Sequence, residues 1–115
     1  MRTRNPDIAL REARHISLSM AKDRYWLYML ASRQNGTIYL AVTNDLARRV
    51  AEHKAKSNPG FTERYGVSKL VWFEEYQSII EAQLAEYKMK KWRRAWKLVL
   101  IEKGNPDWLE LELPL

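Results

Sequence analysis

Two adjacent residues, Asn35-Gly36, constrain this chain more than any others. They sit between two apolar stretches, Tyr25-Trp-Leu-Tyr-Met-Leu-Ala-Ser32 and Thr37-Ile-Tyr-Leu-Ala-Val-Thr43, rich in aromatic and β-branched side chains. Asn-Gly accepts the left-handed backbone that tight hairpin turns require. The pattern therefore predicts strands over 25–32 and 37–43 joined through a two-residue turn at Asn35-Gly36. Such a loop cannot connect parallel strands, so the pair must be antiparallel. Because side chains alternate along a strand, an even-length loop puts Tyr28 and Tyr39 on the same face.

Downstream, Thr43, Asn44 and Asp45 are all good helix caps, and Leu46, Val50 and Ala51 follow at helical spacing. A helix is expected over 45–57, ended by Ser57-Asn58-Pro59-Gly60. Residues 61–66 read as a short helical turn and 68–76 as a third strand. Ser78 and Glu81 form a capping box, opening a long helix to about Lys91. A further helix over 93–103 ends at Gly104, with Pro106 just beyond. The order β-β-α-β-α-α is α+β: a small three-stranded antiparallel sheet flanked by helices. One domain over 25–108 follows, preceded by a loosely ordered, arginine-rich arm over 1–24 and trailed by an acidic segment over 109–115. Met20-Ala21-Lys22 reads as an alternative start.

Several classes are excluded. Cysteine is absent, which removes disulfide scaffolds, zinc fingers and thiol nucleophiles. There is no phosphate-binding glycine loop, no Gly-x-Ser-x-Gly and no His-Glu-x-x-His. Apolar runs such as 26–31 and 98–101 are far too short to span a membrane, and the N-terminus has no apolar leader core, so a cytoplasmic protein is expected. Twenty Lys and Arg against fourteen Asp and Glu leave a formal charge of +6, which suits a nucleic-acid partner. Residues 88–97 carry six of the basic residues, Lys88, Lys90, Lys91, Arg93, Arg94 and Lys97, and no acid. Such groups contact phosphates. Trp92 and Trp96, four apart, read either as a buried helical stripe or as exposed stacking surfaces.

The polar residues that could carry chemistry are scattered. Arg49 and His53 share one face of the first helix, and Glu86 lies mid-helix, four residues before Lys90. Singly, each has an ordinary reading: tyrosines in a core, a solvated helix face, a helical ion pair.

Together they resemble the GIY-YIG nuclease superfamily. The resemblance rests on Tyr25-Trp-Leu-Tyr28-Met-Leu, on Asn35-Gly-Thr-Ile-Tyr39-Leu-Ala-Val-Thr-Asn-Asp-Leu-Ala-Arg-Arg49-Val-Ala-Glu-His53, and on Glu81-Ala-Gln-Leu-Ala-Glu86-Tyr-Lys-Met-Lys-Lys-Trp-Arg-Arg-Ala-Trp96-Lys-Leu. The last stretch resembles the small stand-alone bacterial branch, akin to the domain of the excision-repair nuclease C subunit. The likeness implies that Tyr28 closes the first motif and Tyr39 opens the second. It implies that Arg49 is the helical arginine, His53 an accompanying histidine and Glu86 the metal-binding glutamate. Asn105 is a further candidate, and Arg48 joins the basic residues of 88–97 as a nucleic-acid contact.

The implied function is a Mg²⁺- or Mn²⁺-dependent endonuclease acting on DNA in repair or recombination, working as a monomer. Tyr28 would be the general base if nearby cations lower its pKa from about 10. The second motif reads Tyr39-Leu40-Ala41, with alanine in place of glycine. A methyl group there removes the close backbone approach that glycine allows. The alternative is thus a nucleic-acid-binding module of the same fold with weak or no catalysis. A third reading, from another class, is a protein-interaction domain using the acidic tail and the basic helix.

Overall fold

A computed structural model of the protein describes residues 24–55 and 66–114. Residues 1–23 of the arm expected over 1–24, and residues 61–65 of the helical turn expected over 61–66, lie outside the described residues. The observed order is β1 (Tyr25–Ala31), β2 (Ile38–Thr43), α1 (Leu46–Ala55), β3 (Lys69–Tyr76), α2 (Ile79–Lys90) and α3 (Arg94–Gly104). The sheet order is β2-β1-β3, with both pairings antiparallel. The expected α+β class and three-stranded antiparallel sheet are what the chain adopts.

β1 is central and buried on both faces, as its run of aromatic and aliphatic residues requires. Its alternation divides the core. Trp26, Tyr28 and Leu30 pack with Leu46 and Val50 of α1 and with Val67 and Leu70. Leu27, Met29 and Ala31 pack on the other side with Met89 of α2, Ile101 of α3 and Trp108. The sheet is thus sandwiched between α1 and the α2–α3 pair. Between Met29 and Leu30 the β1–β3 register slips, leaving Val71 as an extra residue on β3. A bulge of this kind lets Val71 and its neighbour Trp72 both serve the α3 side of the sheet.

The hairpin differs from expectation in its loop. Ser32 N–H donates to the Thr37 carbonyl (3.0 Å) and Gly36 N–H to the Arg33 carbonyl (2.9 Å), so four residues cross over rather than two. Asn35, at φ 59°, takes the left-handed position. The reason is tertiary: Arg94 Nη2, from the start of α3, donates to the carbonyls of Asn35 (2.9 Å) and Gly36 (2.6 Å) and holds the loop open. The loop length is still even, so Tyr28 faces Ala41 across the strands and Tyr39 lies on the same face. A Cβ at Gly36 would collide with Ser32 Oγ and press on Arg33 N at 3.1 Å. Gly36→Ala should therefore destabilise the fold by about 1–3 kcal/mol, read as a lower urea midpoint at unchanged m-value. An unchanged midpoint would mean that the loop relaxes freely.

The capping box forms as expected: Ser78 Oγ accepts from Glu81 N–H at 3.3 Å. Past α3 the chain turns back over β3. Leu111 N–H donates to the Leu70 carbonyl (2.9 Å), and the Glu110 carboxylate accepts from Leu70 N–H (3.0 Å) and from Lys54 of α1 (2.8 Å). The acidic segment after 108 is, in its first residues, a clasp on the sheet edge.

Candidate active site

At the open edge of β2 lies a cleft of about 480 Å³, lined by residues of β1, β2, α1 and α2. β2 contributes Tyr39 and Ala41, α1 contributes Arg49, and α2 contributes Gln83 and Glu86. Three of the five residues expected to converge therefore share one concavity. The other two, Tyr28 and His53, do not line it. Tyr28 is 0% and His53 2% exposed, and they form a layer beneath the cleft. The expectation that all five reach solvent is corrected here: a central strand covered by α1 has no open face at Tyr28.

The two layers are connected. The Tyr28 hydroxyl lies 3.3 Å from His53 Nε2. The Tyr39 ring packs edge-on against His53 at 5.1 Å and tilted against Tyr28 at 6.4 Å. His53 Nδ1 is buried and has no hydrogen-bond partner among the described residues.

Burial sets the protonation states. It pushes the Tyr28 hydroxyl up to about 12, Tyr39 adds to the rise, and the bond and charge of Arg49 only partly oppose it. The lowered tyrosine pKa expected from neighbouring cations is absent, because desolvation in a strand buried on both faces exceeds the pull of one arginine. Burial lowers His53, and the charge of Arg49 lowers it further against a weaker opposing effect of Glu52. His53 is therefore neutral at pH 7.

A neutral histidine below its ordinary value has a consequence for stability. Above about pH 6.5 both folded and unfolded states leave it unprotonated. Below that the unfolded chain binds the proton first, so stability falls as pH falls toward the lowered folded value. The urea midpoint should drop between pH 7.5 and 5.5, and His53→Gln should flatten that drop. An equal drop in the variant would assign it to other groups.

Arg49 is steered by Glu52, whose carboxylate it meets at 2.7 Å. Glu52 escaped the sequence reading; its place three residues after Arg49 and four after Arg48 was the available signal. Arg48, read as a nucleic-acid contact, is exposed but paired with Asp45 (3.4 Å) and Glu52 (3.2 Å). Glu86 is partly exposed and forms an ion pair with Lys90 at 2.9 Å. No group of three metal-type ligands occurs among the described residues.

The basic stretch divides in space. Lys88 is exposed on α2, Lys91 donates to the Tyr87 hydroxyl (2.8 Å), and Arg93 lies 5.4 Å over the Trp96 ring. Arg94 holds the hairpin loop, and Lys97 is half-buried on α3. The two tryptophans also part: Trp92 packs on the core, while Trp96 is 52% exposed. Asn105, a candidate site residue, is placed elsewhere. It is buried, with its amide donating to the carbonyls of Val71 (3.2 Å) and Leu109 (2.9 Å) and accepting from Leu109 N–H (3.0 Å). It ties the end of α3 to β3 and does not reach the cleft, because the turn after Gly104 runs along the opposite edge of the sheet.

A three-stranded sheet carrying paired tyrosines, with a helical arginine and a second-helix glutamate over its open edge, defines a nuclease class, and the chain belongs to the GIY-YIG catalytic domain family, which matches residues 24–99. Among similar proteins, a UPF0213 protein of Clostridium perfringens is 36% identical over 76 residues, covering 66% of this chain and 81% of that protein. Another, from Bacillus pumilus, is 30% identical over 83 residues, covering 72% and 84%. The solution NMR structure of a UPF0213 protein from Bacillus halodurans is similar at a TM-score of 0.46, with 27% identity over 71% of this chain and 86% of that one. The family implies a nucleic-acid substrate. Among the described residues no helix is long and apolar enough to cross a membrane.

Proposed function

We propose that this protein is a metal-dependent endonuclease that hydrolyses DNA phosphodiester bonds, acting as a cytoplasmic monomer in repair or recombination. The observation that carries this reading is the meeting of Tyr39, Arg49 and Glu86, from three separate elements, in one cleft. Cleaving a phosphodiester requires a positioned water, neutralisation of charge on the phosphate and stabilisation of the leaving oxygen. The donor set suits a hard cation held by one carboxylate, with waters and phosphate oxygens as the remaining ligands. Glu86 would hold it, exchanging its solvent-exposed Lys90 partner. When bound, Mg²⁺ or Mn²⁺ supplies Lewis-acid stabilisation of the phosphate and of the leaving oxygen.

The chain's own residues do the rest. Arg49 presents a planar fork to phosphate oxygens, held at its angle by Glu52. Tyr39, at the cleft wall, orients the attacking water. Tyr28 is a positioning residue in this resting arrangement, since a phenol near 12 is not a base at neutral pH.

A second reading, a binding module with little catalysis, is favoured by one observation: the Ala41 methyl group lies in the cleft wall. The test is a cleavage assay on branched, nicked and single-stranded DNA with Mg²⁺ and Mn²⁺, run on wild type and on Ala41→Gly. Cleavage should be present and should rise in the glycine variant, at a cost of about 0.5–1 kcal/mol in stability. If both proteins are inert on every substrate, the nuclease gives way to the binding module.

A further inference from the structure

We propose that Lys90, Arg94 and Lys97 form a second phosphate-binding subsite beside the cleft, which takes the substrate backbone next to the phosphate at Arg49. The inference deepens the nuclease reading and rests on it. Lys90 reaches Glu86, one helical turn away and already in the cleft wall. Arg94 is fixed from the other side: its Nη2 is engaged by the Asn35 and Gly36 carbonyls. Its Nε and Nη1 donate to nothing among the described residues, so part of the guanidinium fork remains for a ligand. Lys97 lies three residues further along α3, on the same helical face as Arg94.

The charge balance is the second argument. Among the described residues, Glu86 is the single carboxylate within 4.0 Å of any of the three cations, and it touches only Lys90. Lys97 is half-buried without an acidic partner, and its amine is pulled below the ordinary lysine value by burial first, then by the charges of Lys90 and Arg94. Gathering like charges where water is partly excluded costs stability, and at Lys97 no acidic partner among the described residues offsets it. An anion would. Lys88, Lys91 and Arg93 differ: each points to solvent or to an aromatic ring.

Two measurements on the full chain test this. In the first, lysine methylenes are followed by NMR as inorganic phosphate is added; Lys97 and Lys90 should shift, and Lys88 and Lys91 should shift much less. In the second, binding to a fluorescent 20-base-pair duplex is measured across a salt series. Lys97→Met should weaken binding about tenfold and reduce the salt slope by about 0.9, while its melting temperature stays at or above that of wild type. Lys88→Met, which removes the same charge, should weaken binding less than threefold. Equal losses in the two variants, or a phosphate shift at Lys97 no larger than at Lys88, would overturn the subsite. Should Lys97→Met fail to fold, Lys97→Gln and the wild-type phosphate titration decide the matter. Phosphate shifting Lys97 in a protein that binds neither duplex nor single strand would instead overturn the nuclease reading, and with it the assignment of that phosphate to a nucleic-acid backbone.

Discussion

Glu86→Gln should lower metal-dependent DNA cleavage by about a thousandfold while leaving DNA binding intact or slightly tighter. The carboxylate is the one acidic group of α2 in the cleft, so its loss removes the protein's anchor for the cation and several kcal/mol of transition-state stabilisation; about 4 kcal/mol is a factor of a thousand. The fold should hardly respond. Glutamine is nearly as good a helix former as glutamate, and the Lys90 pair it breaks is exposed and worth only about 0.3 kcal/mol. Removing a negative charge beside a bound phosphate favours association. Single-turnover cleavage and anisotropy on the same preparation separate the two effects. Cleavage at the wild-type rate would place any activity outside this cleft.

Trp108→Ala should cost about 3–5 kcal/mol of folding stability, a large part of what a domain of this size possesses. Trp108 is 0% exposed and closes the core beneath Leu27, Met29 and Ile101. Its indole Nε1 donates to Glu102 at 2.8 Å, and its backbone N–H donates to the Asn105 carbonyl at 3.0 Å. The residue also sits at φ 57°, a left-handed conformation that the surrounding contacts hold in place. Alanine keeps that backbone strain and loses the packing. Trp108→Phe, retaining much of the ring volume but not the N–H, should fall between. Urea denaturation gives the ordering; a loss under 1 kcal/mol for alanine would mean that the segment after α3 contributes little to the core.

Much of this architecture was legible locally. Asn35-Gly36, the alternation around Tyr28 and Tyr39, and the Ser78–Glu81 cap are short-range signals, and each element they announce is present. What was hidden depends on distant partners. The four-residue loop is held by Arg94, 58 and 59 positions away. The bulge at Val71 serves a packing need of α3, which no pattern within β3 expresses. The cleft was half legible: the resemblance to the GIY-YIG superfamily marked Tyr39, Arg49 and Glu86. The burial of Tyr28 and His53, and hence the direction of their pKa values, follows from α1 lying over the sheet. Asn105 was misplaced because a polar residue beside a helix end looks the same whether it meets a substrate or two backbone carbonyls.

Among the described strands, the spatially central one is also the first to be synthesised. Tyr25–Ala31 carries no charge, and in the finished protein both of its edges are paired. On the ribosome the β2 edge can be covered within microseconds of hairpin emergence. The other edge must wait until Tyr76 has been made, several seconds later at about 5–20 residues per second. During that interval the nascent chain displays a flat, aromatic, uncharged strand, the kind of segment that templates aggregation between chains. Expression yield should therefore depend on translation speed between β2 and β3 and on the availability of chaperones that shield a bare strand. Slow codons placed after Tyr76 would be harmless where the same codons before it would not.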